Sequence, residues 1–378
     1  MLIKNGLLFL LEEKAFVKKD ILIENGKISK IADEILGDNF IDCQGKYITP
    51  GLIDSHSHLG LSGDAMGWEG ADFNEASDSI TPEVRAIDGI NPNDPTIKEA
   101  LQGGVTTVCT GPGSLNVLGG QAAIISLNGN IVDKMVINPY AGMKCAFGEN
   151  TKRNIPNLKN RPVTRMGTAS LLRKTLTEAR NYQIRKIDAL EKNEIFDINF
   201  KLEPLLPVLN REIPLKAHAH KSEDICTAIR IAKEFNLKLT LDHCTEGHLI
   251  ADYLREQGYP AIIGPSFGAK TKIELKEKSF KTVNALYKAG VKIAIMTDHY
   301  VIPQHALNLC AAMAMKAGLP EFEALKAITV NPAEILNIDN RKGSLKEGLD
   351  GDIVIWSNHP LLLESQVEKV YIEGKEII

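Results

Sequence analysis

The sequence predicts an α/β fold: a (β/α)8 TIM-like barrel carrying a small β-sandwich domain formed by both termini. Two observations lead there. Between residues 50 and 340, short apolar runs alternate with amphipathic stretches, as in a parallel sheet wrapped by helices. Outside that span, each chain end carries strand and hairpin signals but too few strands for a stable sheet of its own. The expected boundaries are 1–49 with 341–378 for the sandwich and 50–340 for the barrel.

Near the start, Ile21-Leu22-Ile23-Glu24 and Lys27-Ile28-Ser29-Lys30-Ile31 flank Asn25-Gly26, a pair that accepts positive φ and so suits a two-residue hairpin. The barrel runs begin with Gly51-Leu52-Ile53-Asp54, Val105-Thr106-Thr107-Val108-Cys109, Met143-Lys144-Cys145-Ala146-Phe147 and Leu215-Lys216-Ala217-His218. They continue with Leu237 to Asp242, Ala261-Ile262-Ile263-Gly264 and Ile293 to Thr297. Between them, Ser222 followed by Glu223 and Asp224 reads as an N-cap with an acidic first turn. Apolar residues from Met166 to about Lys192 recur at helical spacing. At the far end, Asp352 to Trp356 is a strand, and Val370-Tyr371-Ile372 and Glu376-Ile377-Ile378 flank a turn at Glu373-Gly374-Lys375. A doubly wound dinucleotide-binding sheet is the rival architecture, but its glycine-rich first turn is missing.

Composition narrows the function classes. The 378 residues are 44% apolar and 24% charged with a net charge of −4, so no basic excess points to nucleic acid or to an anionic membrane. No window is apolar for 18 residues, and the N-terminus lacks the layout of a signal peptide. Six cysteines without CxxC spacing read as reduced thiols. The expectation is a soluble cytoplasmic protein that acts on a small molecule, with homo-oligomerisation left open.

The chemical signal lies where apolar runs end. Asp54-Ser55-His56-Ser57-His58 follows the first run, and residues i and i+2 of a strand share a face, so two imidazoles can reach one ion. His218, His243 and Asp298 occupy corresponding ends of later runs, where barrel sites form. Neutral imidazole and carboxylate suit a divalent metal, Zn²⁺ first among the candidates, as one ion or two.

With Pro50 to His58, His218, His243, Thr297-Asp298-His299, Asn331-Pro332-Ala333, Gly343 to Gly348 and Gly351 to Val354 in order, nearly the whole chain resembles the amidohydrolase superfamily. Its imidazolonepropionase- and prolidase-like branch is most similar. The resemblance implies hydrolysis by a metal-bound hydroxide, with His56, His58 and Asp298 on one ion and His218 and His243 on a second. Asp298 is expected to act as the base, with the metal or a neighbouring imidazole such as His243 polarising the carbonyl.

On the fourth strand two ligands compete. Lys144 sits within an apolar run where a free ammonium is costly, as befits a carbamylated lysine, whereas Glu149 lies at the strand end and needs no modification. His220, two residues beyond His218, is a substrate contact by its position nearer the mouth. Arg153 and Arg165 could grip a substrate carboxylate. The polar stretch 61–93 has the length of a lid or binding loop. Gly119-Gly120-Gln121 reads as part of a loop. The leading reading is hydrolysis of a non-peptide C–N bond in a cyclic amide or N-acyl compound. A prolidase-like dipeptidase, a deaminase and an inactive barrel kept as a binding module are the alternatives.

Overall fold

Two sheets organise the chain. The computed structural model describes residues 1–64, 66–153 and 159–378. The first sheet draws on both ends: β1 (Leu2–Leu10), β2 (Ala15–Glu24), β3 (Lys27–Ala32), β4 (Ile41–Asp42) and β5 (Tyr47–Pro50). The second contains β6 (Leu52–Ser57), β7 (Val105–Thr110), β8 (Leu118–Ser126), β9 (Val136–Ala146), β10 (Leu215–Ala219), β11 (Leu239–His243), β12 (Ala261–Ile263) and β13 (Ile293–Ile295). The chain then returns to the first sheet as β14 (Ile353–Trp356), β15 (Val367–Ile372) and β16 (Lys375–Glu376).

The sheet from the termini runs β16-β15-β14-β5-β1-β2-β3, with β4 beside β1. Both hairpin turns form. Asn25 and Gly26 have φ of 51° and 78°, and Glu373 and Gly374 have 48° and 71°, the left-handed pairs that match strand twist. The two turns also touch, since Gly351 N–H donates to the Gly26 carbonyl and Gly374 N–H to that of Gly351. Strands β5 and β14 pair through four residues, which joins the N-terminal and C-terminal halves.

The barrel sheet runs in chain order from β6 to β13. It departs from eight repeated βα units in one place: β8 is antiparallel to both β7 and β9. The link from Thr110 to Leu118 is too short for the crossover that a parallel neighbour needs, so the chain must turn back. Gly119-Gly120-Gln121, expected in a loop, therefore lies inside a strand. The glycine at 120 has φ 121°, and a Cβ there would fall 2.4 Å from the Val84 carbonyl, which instead accepts the Gln121 N–H at 2.8 Å. Through this contact the described part of the 61–93 stretch lies along β8.

Elsewhere helices follow the strands as expected. One spans Arg165–Glu191, its first turn capped by Thr164 Oγ1 accepting from Gly167 N at 2.9 Å. Another spans Ser222–Glu234 and buries Ile225, Ala228, Ile229 and Ala232 against the barrel. Its cap is not Ser222, which is already helical. The Glu246 carboxylate serves instead, accepting from Ser222 N at 2.9 Å and Ser222 Oγ at 3.1 Å. Among the described residues no helix is long and apolar enough to cross a membrane.

The first and last barrel strands do not pair directly. Ala327 and Ile328 lie between them, accepting from Ile295 N–H and Ile53 N–H at 2.9 and 2.8 Å. The seam is tied by Asp54, fully buried, whose Oδ2 accepts from Thr297 N at 2.9 Å, Thr297 Oγ1 at 2.7 Å and Gln304 Nε2 at 2.7 Å. Asn331 adds a bond from Nδ2 to the Ile293 carbonyl at 2.9 Å, which gives the Asn331-Pro332-Ala333 motif a structural task.

Asp54→Ala strands these buried donors and should destabilise the fold by about 3–5 kcal/mol, read from urea denaturation. A loss below about 1 kcal/mol would show that the seam holds without it. All six cysteines are free, and burial pushes the Cys43 and Cys109 thiols up to about 11. Thiol titration at about pH 8 should therefore find the half-buried Cys226 in the native state and the other five only after unfolding.

Candidate metal centre

The centre is assembled from strand ends at one mouth of the barrel. His56 lies on β6 and His58 just beyond it, His218 on β10, His243 at the end of β11, and Asp298 three residues past β13. Parallel register sets His218 beside Asp242 and Ala219 beside His243. Strand alternation would turn His243 away from its neighbours. It is instead held at φ 79°, followed by Cys244 at 48°, so Asp242 and His243 both serve the centre. Asp298 is likewise left-handed, at φ 54°. Such backbone is costly for residues with a Cβ and concentrates at functional sites.

Three imidazoles are fixed by Nδ1 bonds to carboxylate or carbonyl oxygen. The Nδ1 of His56 lies 2.7 Å from Asp242 Oδ2, that of His58 2.6 Å from the Gly111 carbonyl, and that of His243 2.9 Å from the Gly264 carbonyl. Carboxylate and carbonyl oxygens only accept, so these Nδ1 atoms donate, and a neutral ring keeps its lone pair on Nε2. Asp242 is ionised. Burial opposes its charge, but Lys216, 3.5 Å away, and His56 prevail and hold it well below the usual carboxylate range. His220 Nδ1 pairs with Thr245 Oγ1 at 2.7 Å.

The free nitrogens converge. His56 Nε2 and His58 Nε2 each lie 3.3 Å from Asp298 Oδ1. Burial pushes His58, His218 and His243 below the ordinary imidazole range and His220 down to about 3, so these rings are neutral near pH 7. The His58 lone pair thus faces a carboxylate across hydrogen-bond distance with no proton of its own to share, while His56 Nε2 also lies 3.2 Å from Lys144 Nζ. In addition, His218 Nε2 and His243 Nε2 are buried without a hydrogen-bond partner among the described residues. A cation fits both observations. Ligand atoms of His56, His243 and Asp298 lie within 4.8 Å of one another, and so do those of His218, His220 and His243, the two groups sharing His243.

The expected residues separate. Lys144 joins the centre, buried, with Nζ 3.2 Å from His56 Nε2 and burial lowering its pKa. Glu149 does not join: its side chain is exposed, and its N–H is taken by Glu274 at 2.9 Å. His220 stands with the imidazole group rather than beyond it. Arg165 is engaged elsewhere, with Nε 2.9 and 3.1 Å from the two oxygens of Asp224, so a carboxylate of the fold already meets its charge. Arg153 is exposed, and its charge only partly offsets the burial and the Asp298 carboxylate that push the Tyr300 phenol up. His248, His305 and His359 lie outside the centre, against Thr282, Glu99 and Glu321.

Sequence reasoning missed Asp242, Gly264 and Lys216 as partners of the ligands. Their signal was faint: a polar residue at an inward position of a buried strand, as at 216 and 242. If His220 is a ligand, His220→Asn should weaken the second cation at least about tenfold in a chelator-competition titration, without unfolding the protein. Unchanged metal affinity with a raised KM would return it to substrate contact.

The likeness to known proteins agrees with this geometry. The model of the amidohydrolase family matches residues 47–377. The amidohydrolase tasK of Hapsidospora irregularis is 32% identical over 94% of this chain, which spans only 39% of that protein's length. The imidazolonepropionase of Colwellia psychrerythraea is 26% identical over 85% of this chain and 78% of its own. A crystal structure of an amidohydrolase from Thermotoga maritima superposes with a TM-score of 0.95 at 42% identity, covering 100% of this chain and 99% of that one. The chain belongs to the amidohydrolase family.

Proposed function

We propose that this chain is a metal-dependent hydrolase that cleaves a non-peptide C–N bond, in a cyclic amide or an N-acyl compound. The observation that carries the reading is the set of imidazole lone pairs turned on Asp298 in a buried pocket, which an inactive binding module has no reason to retain. His56, His58 and Asp298 would hold one cation, as their mutual distances allow, and His218, His243 and His220 a second, with Zn²⁺ the leading candidate. When bound, such an ion lowers the pKa of water from about 15.7 to about 7 and polarises the substrate carbonyl.

The protein's residues divide the remaining work. Asp298 is the carboxylate placed to accept a proton from the attacking water and return it to the leaving nitrogen. His243 donates Nδ1–H to Gly264, so its Nε2 suits a ligand and not a hydrogen-bond donor to the carbonyl. Lys144, rather than the exposed Glu149, supplies the fourth-strand group. As a carbamate it would present a carboxylate next to His56. Kinship with proteins named amidohydrolase and imidazolonepropionase supports the amide reading. The Xaa-Pro dipeptidase and β-aspartyl dipeptidase structures, at 17% and 16% identity, share the fold alone.

Metal-loaded enzyme should hydrolyse members of a panel of N-acyl amino acids and cyclic ureides. Turnover confined to dipeptides would replace the non-peptide assignment. Asp298→Asn should abolish turnover while most of the metal stays bound, and a near-wild-type rate in that variant would remove Asp298 from the base role. Intact mass should show one added carboxyl group on Lys144 in protein prepared with bicarbonate, and its absence would leave that lysine unmodified.

A further inference from the structure

Beside the metal centre lies a cavity of about 870 Å³, bounded by the 61–89 stretch on one side and by residues 198–204 on the other. Phe73, in its wall, is 5.6 Å from the His58 ring and 5.1 Å from the Tyr300 ring. Pro112, also in the wall, follows the carbonyl that anchors His58. A methyl built on Gly119, another lining residue, would fall 3.4 Å from Lys144 Cγ. The cavity therefore lies one side chain away from the centre, with Phe73 between it and His58.

Its lining combines two characters. Leu61, Phe73, Ile198 and Phe200 give apolar and aromatic walls, whereas Asp72, Glu75, Glu83, Asp88 and Glu203 give negative charge. The cation in the lining, Arg85, is closed onto Asp88 by two hydrogen bonds of 2.8 Å. Glu203 is matched by Lys186 and Tyr182. Glu83 meets Lys201 only at 3.8 Å, and its Oε2 is buried with no hydrogen-bond partner among the described residues. Asp72 and Glu75 are exposed, and Glu75 Oε1 accepts from Ser77 N at 3.1 Å.

Resting on the hydrolytic reading above, we infer that this cavity receives a basic group on an aliphatic stem, an alkylammonium or a guanidinium carried by the substrate. The carboxylates offer counter-charge to its head, and the faces of Phe73 and Phe200 suit both a cation and the methylenes behind it. A substrate carboxylate on the same arm would enter a negative field, the opposite of the grip expected from Arg153 and Arg165. The cavity thus sets which amide enters, while the strand ends cleave it.

Hydroxamates, whose head group chelates a catalytic metal, test this without knowledge of the substrate. Three probes with stems of like length are titrated calorimetrically into metal-loaded enzyme: ε-aminocaproyl, hexanoyl and adipoyl hydroxamate. The basic probe should bind about tenfold more tightly than the neutral one, with the acidic probe weakest, and the preference should shrink as salt is raised. The double variant Asp72→Asn/Glu75→Gln, altered at exposed positions outside the centre, should lose the preference yet keep its affinity for hexanoyl hydroxamate. Equal binding of the three probes, or a preference that survives in the variant, overturns the cavity inference and leaves the hydrolase standing. If none of the three binds, the hydrolytic reading fails and the inference, which rests on it, goes with it.

Discussion

The structure depends on how three imidazoles of the centre are held from behind. Asp242, the Gly111 carbonyl and the Gly264 carbonyl take the Nδ1 protons of His56, His58 and His243 and so fix both tautomer and ring orientation. Their Nε2 atoms then face inward in a region almost closed to water. For neutral His58 against Asp298 that arrangement is unfavourable in a bare protein, because acceptor confronts acceptor. It becomes favourable when a positive ion lies among them, which is how a pre-formed ligand set selects metal over protons.

Such anchoring demands a rigid frame, and the frame is itself polar inside. The barrel interior below the ligands contains Lys144, Lys216, Asp242 and Asp54, all nearly or fully buried. Lys216 offsets Asp242 at 3.5 Å and donates to the Ser55 carbonyl at 3.1 Å, so the charge that holds His56 is balanced within the core. Asp54 closes the seam between β6 and β13 with donors from the segment that carries Asp298. One carboxylate thereby sets the distance between the first and last ligand-bearing strands.

The sheet built from the termini contributes through continuity. Strand β5 passes directly into β6, so the pairing of β5 with β14 bears on the strand that presents His56. Gly51 stands at the join, where a Cβ would lie 2.0 Å from Thr106 Oγ1. Only a residue without a side chain lets the chain cross from one sheet to the other so close to β7. Gly343 plays a related part, since a Cβ there would meet that of Ala333 at 2.5 Å, next to the Asn331 bond that supports the seam.

The chain's own pattern was enough for the strand-and-helix alternation, the two hairpin turns, the family resemblance and the residues at strand ends. These follow from spacing along one segment: the period of two puts His56 and His58 on one face, and Asn25-Gly26 takes positive φ wherever it stands. What spacing could not reveal was which groups meet across the barrel. The reversal of β8 reads locally as a glycine-rich loop, and the cap of the helix at Ser222 comes from Glu246, 24 residues on. Between Lys144 and Glu149 the sequence was evenly balanced, because both are plausible ligands by type. Tertiary structure separates them, aiming Lys144 at His56 and leaving Glu149 in solvent. Ligand chemistry is a property of residue type and local period, whereas convergence on one point depends on contacts between segments far apart in sequence, and only the closed barrel creates those.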